Sequence, residues 1–506
     1  MQRGSGQSVE NLKQKALRSG LVKLVGQGLN LLLRLIFLFV SARLLQPTDF
    51  GLIGMVTAVT GVYQLFTSAG LSTATIQSPN ITDQQLSTLF WINVFFGVAL
   101  SLLCVVTAPL VVHFYNEPRL FWVTLAISAG FAFTGLGVQH CAILNRQMRY
   151  SALVAIELFG QVAAMTIAIA MAAWGFGYWS LVANATIPAA LITAGAWLVT
   201  GWVPGAPRRT HGVRSMLWFG GTVTLNGLVA YIAYNLDKVL LGRVWGPTAV
   251  GIYGRAYFLI EIPTSSLNHA LGSVTFATLS RLQDDPQRLK TYFLKSYSVL
   301  VSITLPMTLF CALFANEIIR VALGPKWAES AVIFRLLAPT IATFGMINPL
   351  YWFLLAVGLQ RRSLYISLFI APWVTAFYLI GLPYGPQGIA TAFSTAMVLF
   401  LIPCLMWCLH GTVISLRELL ISISRPLTSA VISAACAFAF LQMAGDWSSP
   451  LVKLIIGGAV MAMTYLFVLL FVLGQRDFYH DLFKSLVGGS AAPSGPIALE
   501  SQGPTQ

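Results

Sequence analysis

The sequence predicts an all-α integral membrane protein of about fourteen transmembrane helices with an internal parallel repeat. Three observations predict it. The composition is that of a chain solvated by lipid, apolar runs of spanning length recur from end to end, and a fourteen-residue motif returns after two hundred residues.

Hydrophobic residues make up 57% of the chain and charged residues 9%, with a mean hydropathy of +0.77. A soluble domain carries about a quarter charged residues. No stretch is long or polar enough to form a separate soluble domain. Each crossing needs about 20 apolar residues. Runs of that kind, broken by short polar or Gly/Pro loops, fall at 20–44, 50–75, 87–112, 120–143, 152–173, 177–201, 216–238, 250–277, 296–316, 331–357, 363–382, 387–409, 427–445 and 451–473. The first run is too long for a signal-peptide core and lacks a small-residue cleavage site before the next, so it reads as a mature helix. Backbone groups in lipid must be satisfied within the segment, which favours helices over barrel strands for such long runs.

Charge sets the orientation. With the N-terminus inside, the inner loops take twenty of the thirty Lys and Arg, the outer loops six and the spans four. Basic loops resist translocation, so both termini are expected in the cytoplasm. The net charge of +14 is then topological. No basic-aromatic nucleic-acid module is present, and the expected surroundings are the bilayer.

The stretch ARLLQPTDFGLIGM at 42–55 aligns without a gap onto GRVWGPTAVGIYGR at 242–255, sharing Arg43/Arg243, Pro47/Pro247, Thr48/Thr248, Gly51/Gly251 and Gly54/Gly254. Chance gives about one identity over such a length. The offset contains six helices, an even number, so the two copies cross the membrane in the same sense, as parallel repeats do. Each copy reads as an outer-side turn in which Pro fixes the chain and Gly51 or Gly251 lets the next helix start close by. Arg43 and Arg243 are expected to reach headgroups as structural, interfacial residues. Lys238 is expected there too, as an interfacial ion pair with Asp237. Asp237 has no counterpart in the first copy, where Phe37 stands.

Polar residues within the spans nominate the site. Lys23, Gln27, Asn30 and Arg34 form one stripe on helix 1. Thr57, Thr60, Gln64, Ser68 and Ser72 do so on helix 2, and Tyr257, Glu261, Ser265 and Asn268 on its repeat partner, helix 8. Two related halves each presenting a polar face suit a wet central cleft, although such stripes also serve as interhelical glue worth about 0.6 kcal/mol per bond. Arg34 weighs toward the cleft, because a charge midway along a span costs several kcal/mol unless water or a partner receives it. Glu261, two residues before Pro263, is the other deep charge, and Pro263 suggests a bend. Glu157 is expected to pair with Arg146 or Arg149. Gln27, Asn30, Arg34, Gln64, Ser68, Arg255, Tyr257 and Asn268 are the candidate substrate contacts, and Glu261 and Asp237 the candidate coupling residues.

Catalytic constellations are missing from the sequence. The six cysteines fall in or at spans, with Cys404 and Cys408 one turn apart as packing residues, and the six His give no metal-binding spacing. There is no P-loop. A transporter without cofactor or metal is expected ahead of an enzyme, with its energy drawn from ion gradients, membrane potential or mass action.

The stretches NLDKVLLGRVWGPTAVGIYGRAY at 235–257, CAILNRQMRYSAL at 141–153 and GLSTATIQ at 70–77 resemble the polysaccharide-transporter branch of the multidrug/oligosaccharidyl-lipid/polysaccharide flippases, the Wzx type and its colanic-acid-exporter relatives. The similarity runs from helix 1 to helix 14, and the first stretch is its most specific part. The resemblance implies an N-lobe of helices 1–6 (residues 1–205) and a C-lobe of helices 7–12 (206–412) around a V-shaped cleft. Two appended helices (413–475) and a disordered cytoplasmic tail (476–506) follow. It also implies alternating access for an undecaprenyl-pyrophosphate-linked oligosaccharide in a bacterial inner membrane, with a polymerase and co-polymerase as partners. Arg34 and Arg255 suit a pyrophosphate, since Arg forms two-pronged phosphate contacts. A lipid II flippase of peptidoglycan synthesis and a cation-coupled multidrug exporter of the MATE type are the alternatives.

Overall fold

A computed structural model describes residues 3–67, 75, 81–207, 213–444, 449–477 and 479–480, and the regular structure among them is helical. The first six helices are α1 (Arg3–Leu44), α2 (Pro47–Thr67), α3 (Asp83–Tyr115), α4 (Leu120–Arg146), α5 (Tyr150–Ala173) and α6 (Tyr178–Thr200). Local chemistry sets their ends. Thr82 and Gln85 form a reciprocal capping box at the start of α3, and Asn116 ends it in the left-handed region (φ 56, ψ 39).

Val213–Arg281 is a single helical stretch broken at Gly246 (φ 76, ψ −175) into α7 (213–245) and α8 (247–281). Only Gly adopts that conformation at low cost. Pro247 then opens α8, where its fixed φ suits a first helical residue. α8 stays helical through Pro263. The chain continues through α9 (Pro286–Leu313), α10 (Ala315–Ala322), α11 (Ala328–Leu337), α12 (Pro339–Ala356), α13 (Gln360–Gly381), α14 (Gly385–Leu409), α15 (Leu416–Ala444) and α16 (Pro450–Phe467).

Ten of the described helices are long and apolar enough to cross a membrane, or eleven when α11 and α12, bent by 41° at their break, count as one span. One of the ten, Gln360–Leu409, holds both α13 and α14, and α7 and α8 are not among them. Their outer surfaces carry exposed Phe95, Val106, Leu110, Phe159 and Leu198. Apolar area on that scale is stable only in lipid. Inside, Trp327, Tyr253, Phe293 and Phe393 are fully buried.

Packing divides the chain. α3 lies on α4, α6 on α4 and α5, and α1 on α5. In the C-terminal half α12 packs on α8 and α9, α15 on α9 and α16, and α13 on α14. The broad junction between the halves is α2 against α7 and α8. Of the expected tail, residues 478 and 481–506 lie outside the described residues.

Candidate substrate-binding cleft

The twin turns meet each other at one end of that junction. Thr48 Oγ1 lies 3.1 Å from Thr248 Oγ1. Gly51 abuts the Pro247 carbonyl and Gly251 the Pro47 carbonyl. A Cβ on Gly251 would stand 2.7 Å from the Pro47 carbonyl carbon, and one on Gly51 2.9 Å from Pro247 Cα. These glycines therefore let two turns touch across the halves, a correction to their reading as room for the following helix.

Arg43 is corrected in the same way. Its guanidinium donates to the carbonyls of Phe39 at 2.7 Å, Val321 at 2.6 Å and Ala322 at 3.3 Å. The last two end α10, where unsatisfied carbonyls and the helix dipole favour a cation. Arg43 thus ties the halves together and is not free to reach headgroups. Trp327 Nε1 donates to the Ala42 carbonyl at 2.9 Å and Lys326 Nζ to that of Arg43 at 3.3 Å, closing the same seam. Arg243, exposed, lies 5.8 Å from the Phe114 ring.

Away from this seam the halves part around a cleft. One part of it, about 600 Å³, is lined by Lys23, Gln27, Asn30 and Arg34 of α1, Tyr150 and Glu157 of α5, and Ser265 of α8. The helix 1 stripe is therefore one wall, about 16 Å long at 1.5 Å per residue. At Arg34 the cleft joins a pocket of about 330 Å³ lined also by Phe50, Gln161, Asn184, Arg255 and Phe258. At Ser265 it joins a third cavity, of about 280 Å³, that holds Tyr257, Glu261 and Asn268.

Arg34 and Arg255 come from opposite halves and line one pocket. Arg34 has no protein partner among the described residues. Arg255 is packed between the rings of Phe50 and Phe258, 4.8 and 5.4 Å from their centroids, and its buried Nε finds no acceptor. The buried Asn184 Oδ1 is unpartnered as well. Leaving such an atom unpaired costs about 1–3 kcal/mol. The rings hold the guanidinium plane by cation–π contact, and a fixed fork suits phosphate oxygens.

Other expectations fare differently. Asp237 is fully buried and accepts a hydrogen bond from the Tyr253 hydroxyl at 2.7 Å. Lys238 Nζ instead donates to Asn235 Oδ1 at 2.8 Å and stands 5.0 Å over the Tyr257 ring. The expected Asp237–Lys238 ion pair is absent, because consecutive helical side chains point apart. Glu157 pairs with neither expected arginine. Arg146 donates to the Thr75 carbonyl at 3.0 Å and Arg149 to that of Val199 at 3.2 Å, while Glu157 faces the cleft.

The described residues of the helix 2 stripe line none of these cavities. Thr57 bonds back to the Ile53 carbonyl at 2.8 Å, Thr60 is buried, and Gln64 lines none of the three. A hydroxyl satisfied by its own helix exposes no demand for a ligand. Ser68 and Ser72 lie outside the described residues. Sequence reasoning missed Gln161, Asn184, Tyr234 and Asn348. Gln161 was within reach, one turn beyond Glu157 on the same helical face. Asn184 is a lone amide in an apolar helix, which carries no periodic signal.

Residues 40–332 match the family model described as polysaccharide biosynthesis protein. An uncharacterized membrane protein in the cps region of Klebsiella pneumoniae is 25% identical over 76% of this chain and 80% of its own length. The lipopolysaccharide biosynthesis protein WzxC of Escherichia coli (strain K12) is 23% identical over 77% of this chain and 80% of its own. Among solved structures, the lipid II flippase MurJ in its inward closed conformation superposes with a TM-score of 0.73 at 14% identity, covering 91% of this chain and 99% of that one. That likeness shows the fold. The family match begins at the first twin turn, takes in the second and ends within α11, more than half of the sequence; the chain belongs to the polysaccharide biosynthesis protein family, as its turn motif led us to expect.

Proposed function

We propose that this protein is a flippase that moves an undecaprenyl-pyrophosphate-linked oligosaccharide from the inner to the outer leaflet of the bacterial cytoplasmic membrane, for surface polysaccharide synthesis. The observation that carries this reading is the pocket where Arg34 and Arg255 present guanidinium groups without acceptors among the described residues. A pyrophosphate leaving water loses its hydration and needs fixed cations in exchange. The glycan needs the wet polar cleft, and the lipid tail stays in the bilayer beside α15 and α16.

Residues 1–205 and 206–412 act as two lobes in alternating access, with 413–475 appended, a division supported by the separate packing of the halves. The count of fourteen spans and cytoplasmic termini belong to the same proposal and rest on the loop charges. In that orientation the twin turns close the outer side and the cleft faces the cytoplasm. Asp237, sealed behind Tyr253, is the coupling candidate. Glu261 stands in the cleft within reach of cargo. A polymerase and its co-polymerase are the partners that receive the product.

A lipid II cargo fits the fold equally, and family membership favours the polysaccharide precursor. A pocket built on two arginines disfavours the cationic cargo of a multidrug exporter. The test is complementation scored by surface polysaccharide, with membrane protein level measured beside it. Arg34→Ala is expected to abolish export at normal protein level. Arg34→Lys should restore part of it, since a point charge cannot make the two-pronged contact. Normal polysaccharide from Arg34→Ala would overturn the assignment.

A further inference from the structure

The third cavity differs in chemistry from the arginine pocket and shares no residue with it. Tyr234, Tyr257 and Phe344 line it with aromatic rings, Tyr234 meeting Phe344 edge-on, and Glu261, Asn268 and Asn348 supply polar groups. The Glu261 carboxylate is exposed to the cavity and has no protein partner among the described residues. Asn268 Oδ1 is buried and also lacks one. Glu261 is the one charged residue among the described residues that line this space. Lys238 stands behind the Tyr257 ring with its ammonium committed to Asn235.

Aromatic rings beside unpaired carboxylate and amide groups match a pyranose, whose C–H groups pack on rings while its hydroxyls need acceptors and donors. At about 280 Å³ the space lies near the low end of the range of about 300–1,000 Å³ seen for small-molecule sites. That volume is on the scale of a single sugar ring. Arg255 and Glu261 are on one helix, α8, about 9 Å apart along its axis. A sugar at Glu261 is therefore close to a pyrophosphate held at Arg255.

Resting on the flippase reading above, we propose that this cavity is a glycan subsite that reads the sugar nearest the pyrophosphate, and that Glu261 makes it select against an acidic sugar there. The carboxylate accepts hydroxyls of a neutral ring. It faces a uronic acid with like charge, the repulsive element that specificity requires.

The test uses the full-length protein in proteoliposomes and three probes: undecaprenyl pyrophosphate without sugar, with one N-acetylhexosamine, and with one uronic acid. The wild type should move the hexosamine probe faster than the uronic acid probe. Glu261→Gln should shrink that preference about tenfold, the loss expected for a contact to a charged group. Asn268→Ala should slow the hexosamine probe while leaving the sugarless one unchanged. Arg34→Ala should slow all three. Equal rates for the two sugars in the wild type would overturn the subsite, as would either cavity variant slowing the sugarless probe as much as the glycosylated ones. Failure of the wild type to move any probe would overturn the flippase reading itself, and the subsite with it.

Discussion

Gly51→Ala tests whether the twin turns form a closed gate. The new methyl would point at the Pro247 backbone, 2.9 Å from its Cα and closer still to its carbonyl, where no flexible side chain can give way. Ordinary carbon contacts lie at about 3.5–4.0 Å, so the turns must part by about 1 Å or more. Overpacking of this kind costs about 1–3 kcal/mol, and each 1.4 kcal/mol is about tenfold in population. The closed arrangement should therefore lose about fivefold to a hundredfold against the open one. Gly251→Ala, whose methyl would stand 2.7 Å from the Pro47 carbonyl carbon, should act alike. Gly254→Ala is the control, since nothing lies within 4 Å of a Cβ there and alanine favours a helix. The assay is disulfide formation between Thr48→Cys and Thr248→Cys, whose parent hydroxyls lie 3.1 Å apart, read by mass after alkylation of the free thiols. Slower crosslinking in both turn variants and none of that slowing in Gly254→Ala is expected. Crosslinking at the parent rate in Gly51→Ala would refute the gate.

Three further outcomes are expected. Asp237→Asn keeps an oxygen for the Tyr253 hydroxyl, so protein level should hold while the dependence of transport on pH and Na⁺ is lost; unchanged dependence on both excludes coupling at this residue. A cysteine replacing Asn116 should label from outside intact cells and one replacing Arg288 only after permeabilisation, and labelling of both from outside breaks the proposed topology. In the turn between α3 and α4, the Arg119 guanidinium at 2.8 Å holds the Glu117 carboxyl below the usual carboxylate range. A depressed folded value means that the pair stabilises above that range and that the gain is lost as pH falls through the folded value. Arg119 is half exposed, so the effect should stay within about 1 kcal/mol. Thermal unfolding of Glu117→Gln should accordingly lose less than wild type on acidification.

The helical fold and the turn motif were legible because hydrophobic length and Gly/Pro punctuation are local properties of the chain. The helix 1 stripe was legible too, since Lys23, Gln27, Asn30 and Arg34 announce one face by spacing alone. What spacing could not say is which neighbour a face meets. Helix 2 carries the same period, yet its Thr57 is satisfied by its own backbone and the cleft lies elsewhere. Arg43 likewise looked like a lipid anchor until α10, nearly three hundred residues on, brought its last two carbonyls to 2.6 and 3.3 Å. Such contacts depend on tertiary docking, which no short window encodes.

The two copies keep what touches and change what lines the cavities. A contact between related elements across a pseudo-twofold is self-complementary, so Pro47 and Pro247, Thr48 and Thr248, and Gly51 and Gly251 must stay alike for the turns to meet. A cargo with an anionic head and a neutral ring is asymmetric, and symmetric walls would treat its two ends the same. At the same offset of two hundred, Arg34 becomes Tyr234, Met55 becomes Arg255 and Gly61 becomes Glu261. Arg34 and Arg255 then lie in one pocket and Tyr234 and Glu261 in another. Divergence at aligned positions has sorted cations from the carboxylate and the ring, and under the proposed function that sorting would orient a cargo whose two ends differ in charge.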